Sequence, residues 1–331
     1  MLSTILKSNQ PIVIVLIILS GILMWIPSFI DPIGTAIPSD NINMPFYEFI
    51  AEYVQYNSLL SMFITLLLVF LQSFLLVQFN KKHIIINYRT YLPAFFYILI
   101  SGSFVQLQRL NPVLIGGIFI FAAINFIFST YRTEYALNKL YLAGFFVSIA
   151  SLFWGPLAIF ILIIWISISN LRPFIGREWI VGLLGFLTPY LFVFVYYFVF
   201  LPENSFIQLI DHFVASFYVL KAFHLLHYSY YIFYGFLFFI IILASYTLLT
   251  NFQNKKIKTR KYFQLNWWIF IFSLSLFFIF KNVKYEIIYL MSIPVSFLLA
   301  EYFHAVKRNW YLNILLLLLV SSLVYIQIIA H

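Results

Sequence analysis

Long uncharged apolar stretches, separated by short polar turns, recur from one end of this chain to the other, and they decide what it can fold into. The first, "PIVIVLIILSGILMWIPSFI" at residues 11–30, is followed by comparable stretches near 59–78, 179–200, 229–250 and 311–329. A helix of about 20 such residues rises about 30 Å, the thickness of a bilayer's hydrocarbon core. A backbone in that medium meets no water, so each segment must pair its own N–H and C=O groups, which the α-helix does. The whole chain agrees: 9% of residues are charged and the mean hydropathy is +1.00, against about 25% charged in soluble domains.

Turn residues bracket eleven candidate spans, at 11–30, 59–78, 91–107, 112–129, 139–153, 155–170, 179–200, 229–250, 266–281, 286–304 and 311–329. The fifth and sixth are short and meet at "WGP", Trp154 to Pro156, where a Gly-Pro pair breaks one helix into two. The expected fold is all-α, a polytopic transmembrane helix bundle of eleven spans, with residues 1–331 forming a single integral membrane domain. The first run exceeds a signal-peptide core of roughly 7–15 residues and lacks a small-x-small cleavage site, so it is expected to be retained. The absence of cysteine excludes disulfides, thiolate nucleophiles and iron–sulfur clusters.

Charge orients the bundle. With the N-terminus cytoplasmic, Lys7, Lys81, Lys82, Arg89, Arg132, Lys139, Arg172, Arg177, Lys255, Lys256, Lys258, Arg260, Lys261, Lys307 and Arg308 fall inside, 15 of the 19 basic residues. Arg109, Lys221, Lys281 and Lys284 fall outside. The positive-inside rule therefore predicts a multi-pass protein of a bacterial inner membrane with a cytoplasmic N-terminus. The +9 net charge is accounted for by topology and anionic headgroups, so membrane lipids are expected as partners and nucleic acid is not.

Acidic residues and histidines sort the other way. Asp31, Asp40, Glu48, Glu52, Glu203, Asp211, Glu286, His212, His224 and His227 lie outside in this topology. The two long outer loops, 31–58 and 201–228, each predict an interfacial helix. In the first, Phe46, Tyr47, Ile50 and Val54 form a stripe opposite Glu48 and Glu52. In the second, Phe206, Ile210, Phe213, Phe217 and Leu220 form the stripe, with Gln208, His212 and Ser216 on another face.

Long outer loops after spans one and seven, with juxtamembrane helices in both and the paired short spans of "ALNKLYLAGFFVSIASLFWGPLAIFILIIWISISNLRPF" at 136–174, resemble the layout of the GT-C superfamily of membrane glycosyltransferases. The chain also resembles a family of uncharacterised inner-membrane proteins from Bacteroidota. The GT-C resemblance implies a polyprenyl-phosphate-linked sugar as substrate and an acidic residue in the first outer loop, followed by an interfacial tyrosine. In "PSDNINMPFYEFIAEY" that acid is Asp40, followed by Asn41 rather than by a second acid, and the tyrosine is Tyr47.

Sugar transfer needs a base at the acceptor hydroxyl and cations at the departing phosphate. Asp40, then Asp31, are the base candidates; both are also ordinary turn residues. Arg109 and Lys221 are the cation candidates, with lipid-headgroup snorkelling as the other reading. His224 and His227, three apart on one helix face, either orient an acceptor or serve as interfacial aromatics beside Tyr228 and Tyr230. No metal site and no cofactor is expected, and no Walker, HExxH, GxSxG or dinucleotide motif is present. Three function classes are open: an extracytoplasmic glycosyltransferase or an inactive relative, a lipid or small-molecule transporter, and a non-catalytic assembly scaffold. The topology predicts that a reporter fused at 257 reads as cytoplasmic and one fused at 215 as external, and the opposite pair of signals would overturn it.

Overall fold

The computed structural model describes residues 2–8, 10–30, 44–54, 58–217, 228–280, 285–306 and 308–329. Among these, every regular element is helical: α1 (Leu2–Lys7), α2 (Pro11–Ile30), α3 (Pro45–Val54), α4 (Ser58–His83), α5 (Leu92–Ser101), α6 (Pro112–Phe128), α7 (Leu137–Phe153), α8 (Ile161–Leu171), α9 (Gly176–Phe200), α10 (Glu203–Ala215), α11 (Tyr228–Thr250), α12 (Ile257–Ile279), α13 (Ile288–Ala305) and α14 (Asn309–Ile329). Short 3₁₀ turns precede α8 (Gly155–Phe160) and α13 (Tyr285–Ile287), and a third lies at Val105–Leu107.

Among the described residues, seven helices are long and apolar enough to cross a membrane: α2, α4, α9, α11, α12, α14, and α13 with its 3₁₀ lead. They make the chain a multi-pass helical membrane protein. Four more apolar segments, α5, α6, α7 and Gly155–Leu171, are shorter. The expected span at 91–107 is helical only over Leu92–Ser101, ending at Ser101-Gly102-Ser103. Every residue of α5 is buried, so protein rather than lipid meets its ends, and it need not match the bilayer's thickness. At Trp154 the backbone is extended (φ −151°, ψ 108°), and Pro156 has no N–H with which to continue α7, so the expected break is present.

Burial locates the centre. Within their 18-residue apolar windows, 83% of residues are buried in Tyr285–Ala305 and only 11% in Gly176–Phe200, so α13 is an axis and α9 a rim. Around α13 stand α5, α6, α11 and α12; α7 packs on α6, α9 on α7, and α14 on α11. The α7–α9 contact depends on small residues. A β-carbon on Gly144 would overlap the Gly182 carbonyl oxygen, and one on Gly185 would overlap that of Tyr141. In lipid, where burying apolar surface drives little, such close backbone approach supplies the association. Two side-chain bonds flank it, Tyr141 Oη to Thr188 Oγ1 at 3.0 Å and Ser151 Oγ to Tyr190 Oη at 2.7 Å.

The end of the bundle where α4, α6, α8, α11 and α13 terminate is the basic one, and its cations cap helices. Lys139 donates to Ser129 O (2.7 Å), Lys261 to Asn170 O (2.6 Å) and Lys7 to Val306 O (3.0 Å). Each acceptor lies at the C-terminus of a helix, where unpaired carbonyls and the dipole favour positive charge. Arg172 forks onto Glu178 (Nε–Oε2 2.9 Å, Nη2–Oε1 2.8 Å) while Nη1 donates to the carbonyls of Thr130 and Thr133. Within "NLRPFIGREW" the Arg172–Glu178 pair is thus a buried strut between α8, α9 and the α6–α7 loop, while residues 173–177 stay exposed.

Replacing Gly185 by Leu should destabilise the protein toward the upper end of the roughly 1–3 kcal/mol typical of overpacking, since backbone and not a flexible side chain is in the way. Gly235→Ala, whose new methyl meets nothing within 4 Å, should leave the unfolding midpoint in detergent no lower than wild type.

Candidate functional site

At the opposite end, the chain leaves α5 and returns as α6 through residues 102–111, "GSFVQLQRLN". A turn this deep among helices has carbonyls that water cannot reach, and each must be paired by protein. Gln108, fully buried, donates from Nε2 to Met24 O (3.1 Å) and Gly102 O (3.0 Å), while its Oε1 accepts from Ser28 Oγ. Tyr289 Oη donates to Leu107 O (2.7 Å) and Tyr47 Oη to Leu110 O (2.9 Å). The Leu110 N–H donates to Ser61 Oγ at 2.9 Å. Asn111 accepts from Leu114 N (2.8 Å), capping α6 ahead of Pro112, and returns an N–H to Arg109 O (3.2 Å). On its other side Phe104 is stacked against Tyr230 (4.4 Å), Tyr285 (5.0 Å) and Tyr234 (5.2 Å). Helices α2, α3, α4, α6, α11 and α13 are therefore tied to one turn.

Arg109 projects from that turn and is half-buried. Partial burial lowers its guanidinium below the ordinary value, a sign that the charge has lost water and gains from meeting an anion. Burial, with the Glu286 carboxylate adding to it, raises the Tyr47 phenol above its ordinary value, so it stays protonated and remains a donor to Leu110 O. Glu286 also lies within electrostatic reach of Tyr289.

The two short amphipathic helices converge here. A β-carbon on Gly155 would stand 3.0 Å from Ser216 Cβ, at the end of α10, and 3.8 Å from Met44 Sδ, just before α3. Phe46 packs edge-on against Phe153 (5.5 Å), Phe213 against Tyr190 (5.9 Å) and Phe217 against Phe280 (5.5 Å). In α3 the inward residues are Tyr47, Ala51 and Val54, with Ile50 half-buried and Glu48 exposed, close to the expected stripe. In α10 the expected stripe is displaced. Ile210 is exposed while Leu209, His212 and Phe213 are half-buried and Ser216 buried. Ser216 sits against Gly155, where only a small residue fits, and that contact sets the rotation of α10.

Of the residues singled out by sequence, Arg109 and Tyr47 are brought to one turn. Asp31, Asp40, Lys221, His224 and His227 lie outside the described residues. Gln108, Ser28, Ser61 and Tyr289, which position the turn, were not singled out; their signal was a polar residue or hydroxyl in a segment otherwise apolar. Among the described residues no group of three His, Asp or Glu could hold a metal ion.

A helical membrane bundle carrying a pinned polar turn, with an amphipathic helix bonded to it and a second one meeting the first near Gly155, is the class of protein these features define. The chain belongs to a family of unknown function, DUF6427, whose model matches residues 41–331. No curated protein and no solved structure matches it.

Gln108→Leu would strand two buried carbonyls and one hydroxyl, at about 1–3 kcal/mol for each group left unpaired, whereas Tyr47→Phe strands a single carbonyl. Thermal unfolding should show Gln108→Leu as the much more damaging change, and equal midpoints would mean that the turn is not what ties this end together.

Proposed function

We propose that the Arg109 end faces the extracytoplasmic side and handles a polyprenyl-phosphate-linked sugar, as a GT-C-like glycosyltransferase. The observation that carries this reading is a cation mounted on a turn whose backbone is fixed by bonds from several helices, the amphipathic α3 among them. Transfer to a hydroxyl is favoured by groups held in place before the substrate arrives, because no reorganisation is then needed as charge develops. Arg109 would meet the lipid phosphate as a fork, with Lys221 as a second cation. Asp40, or Asp31 in its place, would take the acceptor's proton. As the new glycosidic bond forms, the bond from the anomeric carbon to the phosphate oxygen breaks, and its electron pair leaves with the phosphate. His224 and His227 would orient the acceptor, and Tyr47 keeps the Arg109 turn in register.

Native mass spectrometry of the purified protein should find a polyprenyl-phosphate lipid retained by wild type and by Asp40→Asn. Arg109→Ala should bind it about 10- to 100-fold more weakly, the loss expected for charge-assisted hydrogen bonds. With donor extracted from the same membranes, Asp40→Asn should lower transfer by roughly 10²–10⁴-fold. A wild-type protein that retains no such lipid, or an Asp40→Asn protein that fully complements a deletion, would sink this reading in favour of a scaffold.

A further inference from the structure

The cations of the basic end are not all engaged by the fold, and the start of α12 separates the two kinds. Within "NKKIKTRKY", residues 254–262, Lys255 pairs with Glu301, Lys261 donates to Asn170 O, and Lys258 lies over the Tyr262 ring at 5.4 Å. Lys256 and Arg260 differ. Neither is in an ion pair among the described residues, and Arg260 Nε is buried without a hydrogen-bond partner.

Helical geometry brings these two together. Four residues apart, they share one face of α12, with Lys256 exposed and Arg260 half-buried. Like charges at that spacing repel, so an anion between them stabilises the helix start. The next turns on the same face carry Gln264 and Trp268, both exposed. Side chains lean toward the N-terminus of their own helix, so Gln264 reaches back toward the cations.

Depth fits a lipid. The 23 residues of α12 make a helix about 34 Å long, against a hydrocarbon core about 30 Å thick. The charged residues lie at its first turn, which therefore stands in the headgroup layer. Gln264 follows about 6 Å below Arg260, near the level of the ester groups, and Trp268 about 6 Å further in. Charge narrows the lipid. A zwitterionic headgroup would bring an ammonium against two cations, and the Glu301 carboxylate that could offset it is already paired with Lys255.

From the shared face of Lys256, Arg260 and Gln264 and its depth, we infer that the start of α12 is a site for an anionic glycerophospholipid, its phosphodiester held between Lys256 and Arg260 and its glycerol esters meeting Gln264. An acyl chain then runs along Trp268. This site lies at the opposite end from Arg109 and is independent of the reaction proposed there.

The test uses the full-length protein, stripped of copurified lipid in detergent, and an equimolar mixture of palmitoyl-oleoyl phosphatidylglycerol and phosphatidylethanolamine followed by native mass spectrometry. Wild type should show a saturable first binding event that favours phosphatidylglycerol. Arg260→Gln should weaken that event about 10- to 100-fold, the loss of charge-assisted hydrogen bonds, and Gln264→Leu, which leaves the charge unchanged, about 3- to 10-fold. Both side chains are outside the core, so both variants should fold. Arg177→Gln, which removes an exposed cation of the same end, should leave the affinity as it is. Equal binding of the two lipids, an unchanged affinity in Arg260→Gln or Gln264→Leu, or an equal loss in Arg177→Gln would each overturn the proposal. So would displacement of the bound lipid by inorganic phosphate, since the cations would then serve a soluble anion.

Discussion

Unpaired backbone carbonyls in a medium without water are the constraint on which the rest of this structure depends. Inside each helix the problem solves itself. It returns wherever a helix ends inside the bundle or a turn runs through it. At one end the answer is cationic: Lys7, Lys139, Lys261 and Arg172 place their charges on the last carbonyls of α13, α6 and α8 and on the α6–α7 loop. Those four are among the fifteen basic residues from which the sequence predicts an orientation, so part of that signal also caps helices. Lys255 and Glu301 add an ion pair between the α11–α12 connection and α13.

At the other end the answer is neutral. Gln108, Tyr47, Tyr289, Ser61 and Asn111 pair the backbone of the 102–111 turn without contributing net charge. Neutral partners suit a turn that must stay rigid at modest cost, because a buried ion demands a counter-ion and a buried amide only a well-placed carbonyl. The tie reaches far along the chain: Tyr289 bonds to a residue 182 positions away, and Ser103 is paired with Tyr234 at 2.6 Å.

Much of this was legible in the sequence, for particular reasons. The break at Trp154-Gly155-Pro156 could be read because proline's missing N–H acts locally. The existence of α3 and α10 could be read because both segments are amphipathic. The cap at the start of α6 rests on a local pattern, Asn111 before Pro112, that was not singled out. The rotation of α10 could not be read, because it is fixed by Ser216 meeting Gly155, a contact between residues 61 positions apart. Nor could the length of α5: hydropathy measures how well a segment tolerates lipid, and α5 touches none. Gln108 was invisible for the same reason, since its three partners, Met24, Ser28 and Gly102, are assembled only by the fold.

The contrast between the two ends bears on chemistry. Where lysines and arginines are consumed in capping carbonyls, their charge is already answered by helix termini, and a ligand anion would have to compete with the fold. Around the 102–111 turn the carbonyls are answered by amides and hydroxyls. Glu286 acts on Tyr47, whose hydroxyl holds the carbonyl of Leu110, the residue next to Arg109. Among the described residues, the bundle thus satisfies the carbonyls of one end with charge and those of the 102–111 turn with neutral donors, so that fixed positive charge is spent where helix termini already favour it.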